Sequence, residues 1–184
     1  MLDRLRHPRQ RADELGELRA RLARQPRADQ VSEEERELAR ELRVLRERML
    51  EATGRVESCT RCAKGHPEPF GHWAGGHCCG SRTEVLFSDD ELAALGLGGT
   101  TAARWVPPRS DLAGCVFRGP EGCSLAPRDR PNLCVRYLCR DLERELGSRE
   151  DGRLVLAIQA ELSARFARFA ELRARARSGG APWE

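Results

Sequence analysis

Cys115-Val-Phe-Arg-Gly-Pro-Glu-Gly-Cys123-Ser-Leu-Ala-Pro-Arg-Asp-Arg130-Pro131-Asn-Leu-Cys134-Val-Arg-Tyr-Leu-Cys139 is the stretch on which the reading of this chain turns. It puts four thiols in 25 residues, and the other four of the chain's eight precede it as Cys59, Cys62, Cys78 and Cys79. Cys59-Thr-Arg-Cys62 has the two-residue spacing that lets a tight turn aim both sulfurs at one ion. Cys78-Cys79 lies among Gly75, Gly76 and Gly80. Adjacent side chains on extended backbone point to opposite faces, so a shared ion requires a sharp turn, which glycine permits. Otherwise the pair serves two sites. The start, Met1-Leu2-Asp3-Arg4-Leu5-Arg6-His7-Pro8, lacks the apolar stretch of an export signal. The expected location is therefore cytoplasmic, where clustered thiols stay reduced and read as metal ligands rather than disulfides.

Pro131 is suited to open a helix running to about Leu146, with Gly147 as its terminator. On one continuous helix, Cys134 and Cys139 would stand about 140° apart around the axis and about 7.5 Å apart along it. Thiolates on one tetrahedral zinc lie only about 3.8 Å from each other. The two therefore serve separate sites, or span something larger such as an iron–sulfur cluster, unless the helix starts or distorts between them. The segment from Cys62 to Cys78 carries His66, His72 and His77. His77, beside Cys78, and His66 are candidate additional ligands, and polar loop residues are the other reading of all three. Arg61, Arg82, Arg118, Arg130, Arg136 and Arg140 lie near cysteines in sequence. That is consistent with offsetting the charge of about −2 that four thiolates leave around a divalent ion.

Outside the cysteines the patterning is helical. Leu15, Leu18 and Leu22 mark a helix over about 10–25, and Pro26 breaks it. Ser32 precedes Glu35 by three residues, a capping box. Val31, Leu38, Leu42, Leu45 and Met49 then form a heptad, coiled-coil-like seam that Gly54 stops. Thr83-Glu-Val-Leu-Phe87 reads as an extended piece, and Ser88-Asp-Asp-Glu91 as a second capping box opening a short helix to about Gly96. Residues 115–131 are turn-rich and hairpin-like. A long helix over roughly 153–177 lines up Val155, Ile158, Leu162, Phe166, Phe169 and Leu172. The fold class expected is mainly α. It consists of an irregular, metal-stapled cysteine-cluster core flanked by an N-terminal helical hairpin and a long C-terminal helix. The divisions are 1–55 (charged hairpin arm), 56–147 (cysteine-cluster metal-binding domain), 148–178 (C-terminal amphipathic helix) and 179–184 (tail).

Composition narrows the function. Nine aromatic residues among 184 leave little bulky material for a large core, so bound metal is expected to do part of the work of packing. No apolar run approaches the ~20 residues of a membrane span. Basic and acidic residues nearly balance in every segment: 14 and 12 in 1–55, 11 and 12 in 56–147, 7 and 5 in 148–184. That argues against nucleic acid, whose binding needs a one-sided cationic face. No Ser/His/Asp set, phosphate loop or carboxylate dyad stands out, and no catalytic residue is assigned. Trp73, Trp105 and Tyr137 read as core fillers. The N-terminal hairpin is either an arm for a protein partner or self-association, or a helix pair folded onto its own domain.

The stretch 115–136 resembles the second signature of the YkgJ-like cysteine-cluster family, which runs Cys-Ser-Ile-Tyr, then Arg-Pro, two residues and Cys-Arg. Here the matching positions are Cys123-Ser-Leu-Ala126, Arg130-Pro131, Cys134 and Arg136. Cys59, Cys62, Cys78 and Cys79 resemble that family's first signature, a Cys-x-x-Cys followed by a Cys-Cys pair. Val85–Leu92 is similar to the extended piece and helix that follow it. The likeness covers about residues 56–140. It departs in its longer, histidine-bearing spacer, in Ala126 where an aromatic is common, and in one extra residue before Arg130. The resemblance implies a zinc- or iron–sulfur-binding protein.

Three functions follow as expectations. The first is a cysteine-cluster metal protein, zinc or iron–sulfur, held by Cys59, Cys62, Cys78, Cys79, Cys115, Cys123, Cys134 and Cys139. Its role is structural or electron-transferring, because thiolate-only ligation leaves no open coordination position. The second is an iron–sulfur-dependent enzyme of methyltransferase or oxidoreductase type. The third is a zinc-stapled protein-interaction module whose helical arm is the working surface.

Overall fold

The computed structural model describes residues 9–54, 56, 58, 83–108, 114–119 and 122–179. Cys59, Cys62, Cys78, Cys79, His66, His72, His77 and Trp73 lie outside the described residues. Seven helices account for most of what is described: α1 (Arg9–Ala23), α2 (Glu33–Thr53), α3 (Thr83–Leu86), α4 (Asp89–Leu97), α5 (Asn132–Arg136), α6 (Arg140–Gly147) and α7 (Gly152–Gly179). Two short strands, β1 (Arg118–Gly119) and β2 (Gly122–Cys123), pair antiparallel, with Arg118 opposite Cys123 and Gly119 opposite Gly122. No described helix is long and apolar enough to cross a membrane.

The capping box expected at Ser32 forms. The Ser32 hydroxyl accepts from Glu35 N at 3.2 Å, and Glu35 Oε2 accepts from Ser32 N at 2.9 Å. The two bonds satisfy backbone donors that a helix start leaves orphaned. At the far end Gly54 takes φ 61°, and its N–H donates to Leu50 O at 2.9 Å. The heptad seam of α2 is covered by the chain's own C-terminal helix: Leu38, Leu42, Leu45 and Met49 share one buried cluster with Val155, Ile158, Leu162 and Phe169. Glu34 meets Arg168 at 2.7 Å and Glu41 meets Arg165 at 3.2 Å, while Arg149 Nη2 donates to Ala52 O at 3.1 Å. Those pairs run in opposite chain directions, so the two helices lie antiparallel.

The expected N-terminal hairpin is thereby corrected. Leu15, Leu18 and Leu22 of α1 do not face the α2 seam. They join a second cluster with Leu86, Phe87, Leu92, Leu95, Trp105, Val116, Phe117 and Leu125. α2 thus packs on α7, and α1 on the middle of the chain. That middle also has a packed aromatic centre, with Phe87, Trp105 and Phe117 ring centroids 5.4 to 6.0 Å apart. Three of the chain's nine aromatic residues are thus concentrated at one point.

Two local expectations are also overturned. Thr83–Leu86 is helical rather than extended, because Glu14 Oε1 of α1 accepts from Thr83 N at 3.1 Å and Phe87 N closes the turn on Thr83 O at 3.0 Å. A cap from a distant helix outweighs the β-leaning composition. The single helix expected over 131–146 is two, α5 and α6, separated at Tyr137–Cys139. The Arg136 carbonyl accepts from Gln159 Nε2 of α7 at 2.8 Å, and Tyr137 and Cys139 are extended.

Leu42, fully buried between α2 and α7, is expected to lose about 2–5 kcal/mol of stability when replaced by alanine. Val44, half exposed on the opposite face of α2, is expected to cost under about 0.5 kcal/mol on the same change. Urea denaturation of Leu42→Ala and Val44→Ala measures both.

Candidate metal centre

Gly114, at φ 101°, turns the chain into the cysteine hairpin. Cys115 follows, buried, its carbonyl accepting from Arg118 N at 2.9 Å and from Arg11 Nη2 of α1 at 3.2 Å. Val116 N donates to Thr83 Oγ1 at 3.1 Å, tying the hairpin to α3. Cys123 sits on β2 opposite Arg118, and Ser124 N extends the pairing to Phe117 O at 2.9 Å. Arg130 folds back locally, Nε donating to Leu125 O at 2.9 Å and Nη2 to Cys123 O at 3.4 Å. Cys134 is the third residue of α5.

These three cysteines line one cavity of ≈190 Å³, together with Arg118, Arg130, Tyr137 and an apolar wall that includes Leu50, Phe87, Phe117 and Leu142. Cys139 is not part of that lining. Half-buried beyond the break after α5, it packs against the α2–α7 cluster. None of the four described cysteines is in a disulfide. Among the described residues, no three His, Cys, Asp or Glu side chains are drawn together closely enough to hold an ion. The break at Tyr137–Cys139 also removes the premise that kept Cys134 and Cys139 apart in the sequence reading, since one continuous helix does not carry both. Burial pushes the Cys115 thiol up to about 12, against the pull of the Phe117 N–H, and the neighbouring Cys123 sulfur adds to the rise. Tyr137, read from sequence as a core filler, stands at the cavity wall, whereas Trp105 is fully buried as expected.

Behind Cys134 lies a buried polar junction that the sequence reading missed. Glu91, 4% exposed, accepts from Asn132 N at 2.8 Å, Asn132 Nδ2 at 2.9 Å and Leu133 N at 3.1 Å. Arg46, fully buried on α2, approaches Asn132 Oδ1 at 3.5 Å. Asp129, also buried, accepts from the Thr100 hydroxyl at 2.8 Å and pairs with Arg104 at 3.1 Å. Glu91 was expected to close its own capping box. Ser88 Oγ does accept from Glu91 N at 3.2 Å, but the Glu91 carboxylate reaches across to α5 instead. A partner 41 residues away leaves no local signal in sequence.

Burial drives the ionisation of this junction. It pushes the Glu91 carboxyl up to about 7, although the Asn132 N–H, the Arg46 charge and the Leu133 N–H pull the other way. It pushes the Arg46 guanidinium down to about 10, with Glu91 and Asp129 opposing.

Comparisons with protein-family models, with characterised proteins and with solved structures return no match. The likeness to the cysteine-cluster family therefore rests on the motifs themselves.

A carboxyl raised in the folded state keeps its proton where the unfolded chain has lost it. Its contribution to stability is thus fully present below the ordinary value of 4.5 and lost as pH rises through about 7. The stability of the parent protein minus that of Glu91→Gln is expected to fall across this window, no more steeply than about 1.4 kcal/mol per pH unit. Urea denaturation of both proteins at several pH values measures it, and a difference independent of pH would contradict it.

Proposed function

We propose that this chain is a cysteine-cluster protein that holds a thiolate-bound metal centre, zinc or iron–sulfur, in a structural or electron-transferring role. The observation that carries the reading is that Cys115, Cys123 and Cys134, from a hairpin and a separate helix, line one cavity. Soft sulfur donors select zinc or iron–sulfur over hard cations. Arg118 and Arg130 on the same lining are suited to offset the negative charge that thiolates leave around a metal. The remaining donors are assigned from the sequence: the pairs Cys59 and Cys62, and Cys78 and Cys79, with His77 and His66 as further candidates. Cys139 stays a candidate ligand on the same basis.

Anaerobic purification followed by elemental analysis and an absorption spectrum tests this. The expected result is bound zinc without colour, or iron with broad absorption near about 400 nm. Cys115→Ser, Cys123→Ser and Cys134→Ser are each expected to lower the metal content. Protein that is metal-free as purified, and takes up neither zinc nor a reconstituted cluster, would refute the reading.

A further inference from the structure

The starts of α2 and α4 both carry the motif Ser-x-x-Glu, and the two glutamates do different things. Glu35 turns back and accepts from Ser32 N, closing its box. Glu91 leaves its own helix start and accepts from the first two backbone N–H groups of α5, those of Asn132 and Leu133, and from the Asn132 side chain. A helix of five residues has too few internal bonds to hold itself in place, and its first donors would be orphaned in a buried setting. Glu91 supplies what they lack. Arg46 of α2 also approaches this end of α5, at 3.5 Å from Asn132 Oδ1. The next residue along α5 is Cys134, at the cavity it shares with Cys115 and Cys123.

We propose that Glu91 is a positioning residue of the metal centre: by capping α5 it sets where the Cys134 sulfur stands relative to those of Cys115 and Cys123. The inference rests on the metal-binding reading above and adds a residue that touches no ligand. Metal–sulfur bonds have a nearly fixed length, about 2.3 Å for zinc. A shift of α5 therefore withdraws one donor rather than stretching a bond. Groups that orient ligands from behind in this way commonly change metal affinity by about 10- to 100-fold.

The test uses the full chain, reduced and anaerobic, with Co²⁺ as the probe and the sulfur-to-cobalt charge-transfer band as the readout. Glu91→Gln keeps the shape but presents an amide where a carboxylate accepted. It is expected to bind Co²⁺ at least about tenfold more weakly, with a weaker band per bound ion because one thiolate is lost. Cys134→Ser sets the size of that loss, and the double variant Glu91→Gln/Cys134→Ser is expected to bind no more weakly than Cys134→Ser alone. Asp89→Asn, an exposed change in the same helical turn, is expected to leave affinity and band unchanged. Parent-like affinity and band in Glu91→Gln, or losses that simply add in the double variant, would overturn the proposal. Should Glu91→Gln lose its helical circular dichroism, Asn132→Ala, which removes one donor to the carboxylate, carries the same test, and an unchanged band then overturns it. A parent protein that gives no thiolate band with Co²⁺ removes the metal centre itself, and the positioning role with it.

Discussion

A carboxylate taken out of water must find donors, and that of Glu91 finds three on the start of one short helix. The junction sits where the two apolar clusters of the chain meet. On α4, Ala93 and Ala94 face the α2–α7 cluster, while Leu92 and Leu95 face the cluster around Phe87, Trp105 and Phe117. On α5, Val135 belongs to the first cluster, and Leu133 and Cys134 pack against the second. Glu91 and Asn132 thus join the two helices that themselves join the two cores. Burying charge is costly, and Arg46 keeps two of its nitrogens, Nε and Nη2, without a hydrogen-bond partner among the described residues. Such a junction is weak evidence for added stability. Its value lies in geometry, because three donors to one carboxylate tie the start of α5 to α4.

That geometry bears directly on the cysteines. Cys115 and Cys123 are held by the hairpin, which α1 and α3 secure through Arg11, Glu14 and Thr83. Cys134 arrives from a different direction, on α5. Convergence of the three on one cavity thus draws on both the hairpin and α5. The aromatic centre beside them is packed by side chains alone. Hydrophobic bulk is thus concentrated there, and the proposed metal would organise the sulfur side of the cavity.

Elements governed by neighbours in sequence were legible. The Ser32–Glu35 box, the Gly54 stop, the seam from Leu38 to Met49 and the stripe from Val155 to Phe169 all depend on spacings of three to seven residues. So did the hairpin character of 115–131. What failed depended on partners far along the chain. Thr83–Leu86 became helical under a cap from Glu14, and the helix after Pro131 split where Gln159 takes the Arg136 carbonyl. The pairing of α1 with α2 failed for a related reason: an apolar stripe states that something covers it, not what does.

By itself, then, the order of residues determined that the chain is mainly helical, where most of its helices begin and end, and that its thiols are concentrated in its middle. Those features follow from short-range hydrogen bonding and periodicity, which are written in adjacent positions. Only the tertiary structure decided which stripe meets which, that three of the thiols line one cavity while Cys139 stands apart, and that Glu91 serves another helix than its own. Such outcomes are set by competition among distant surfaces and donors for burial, and that competition is resolved only when the whole chain packs.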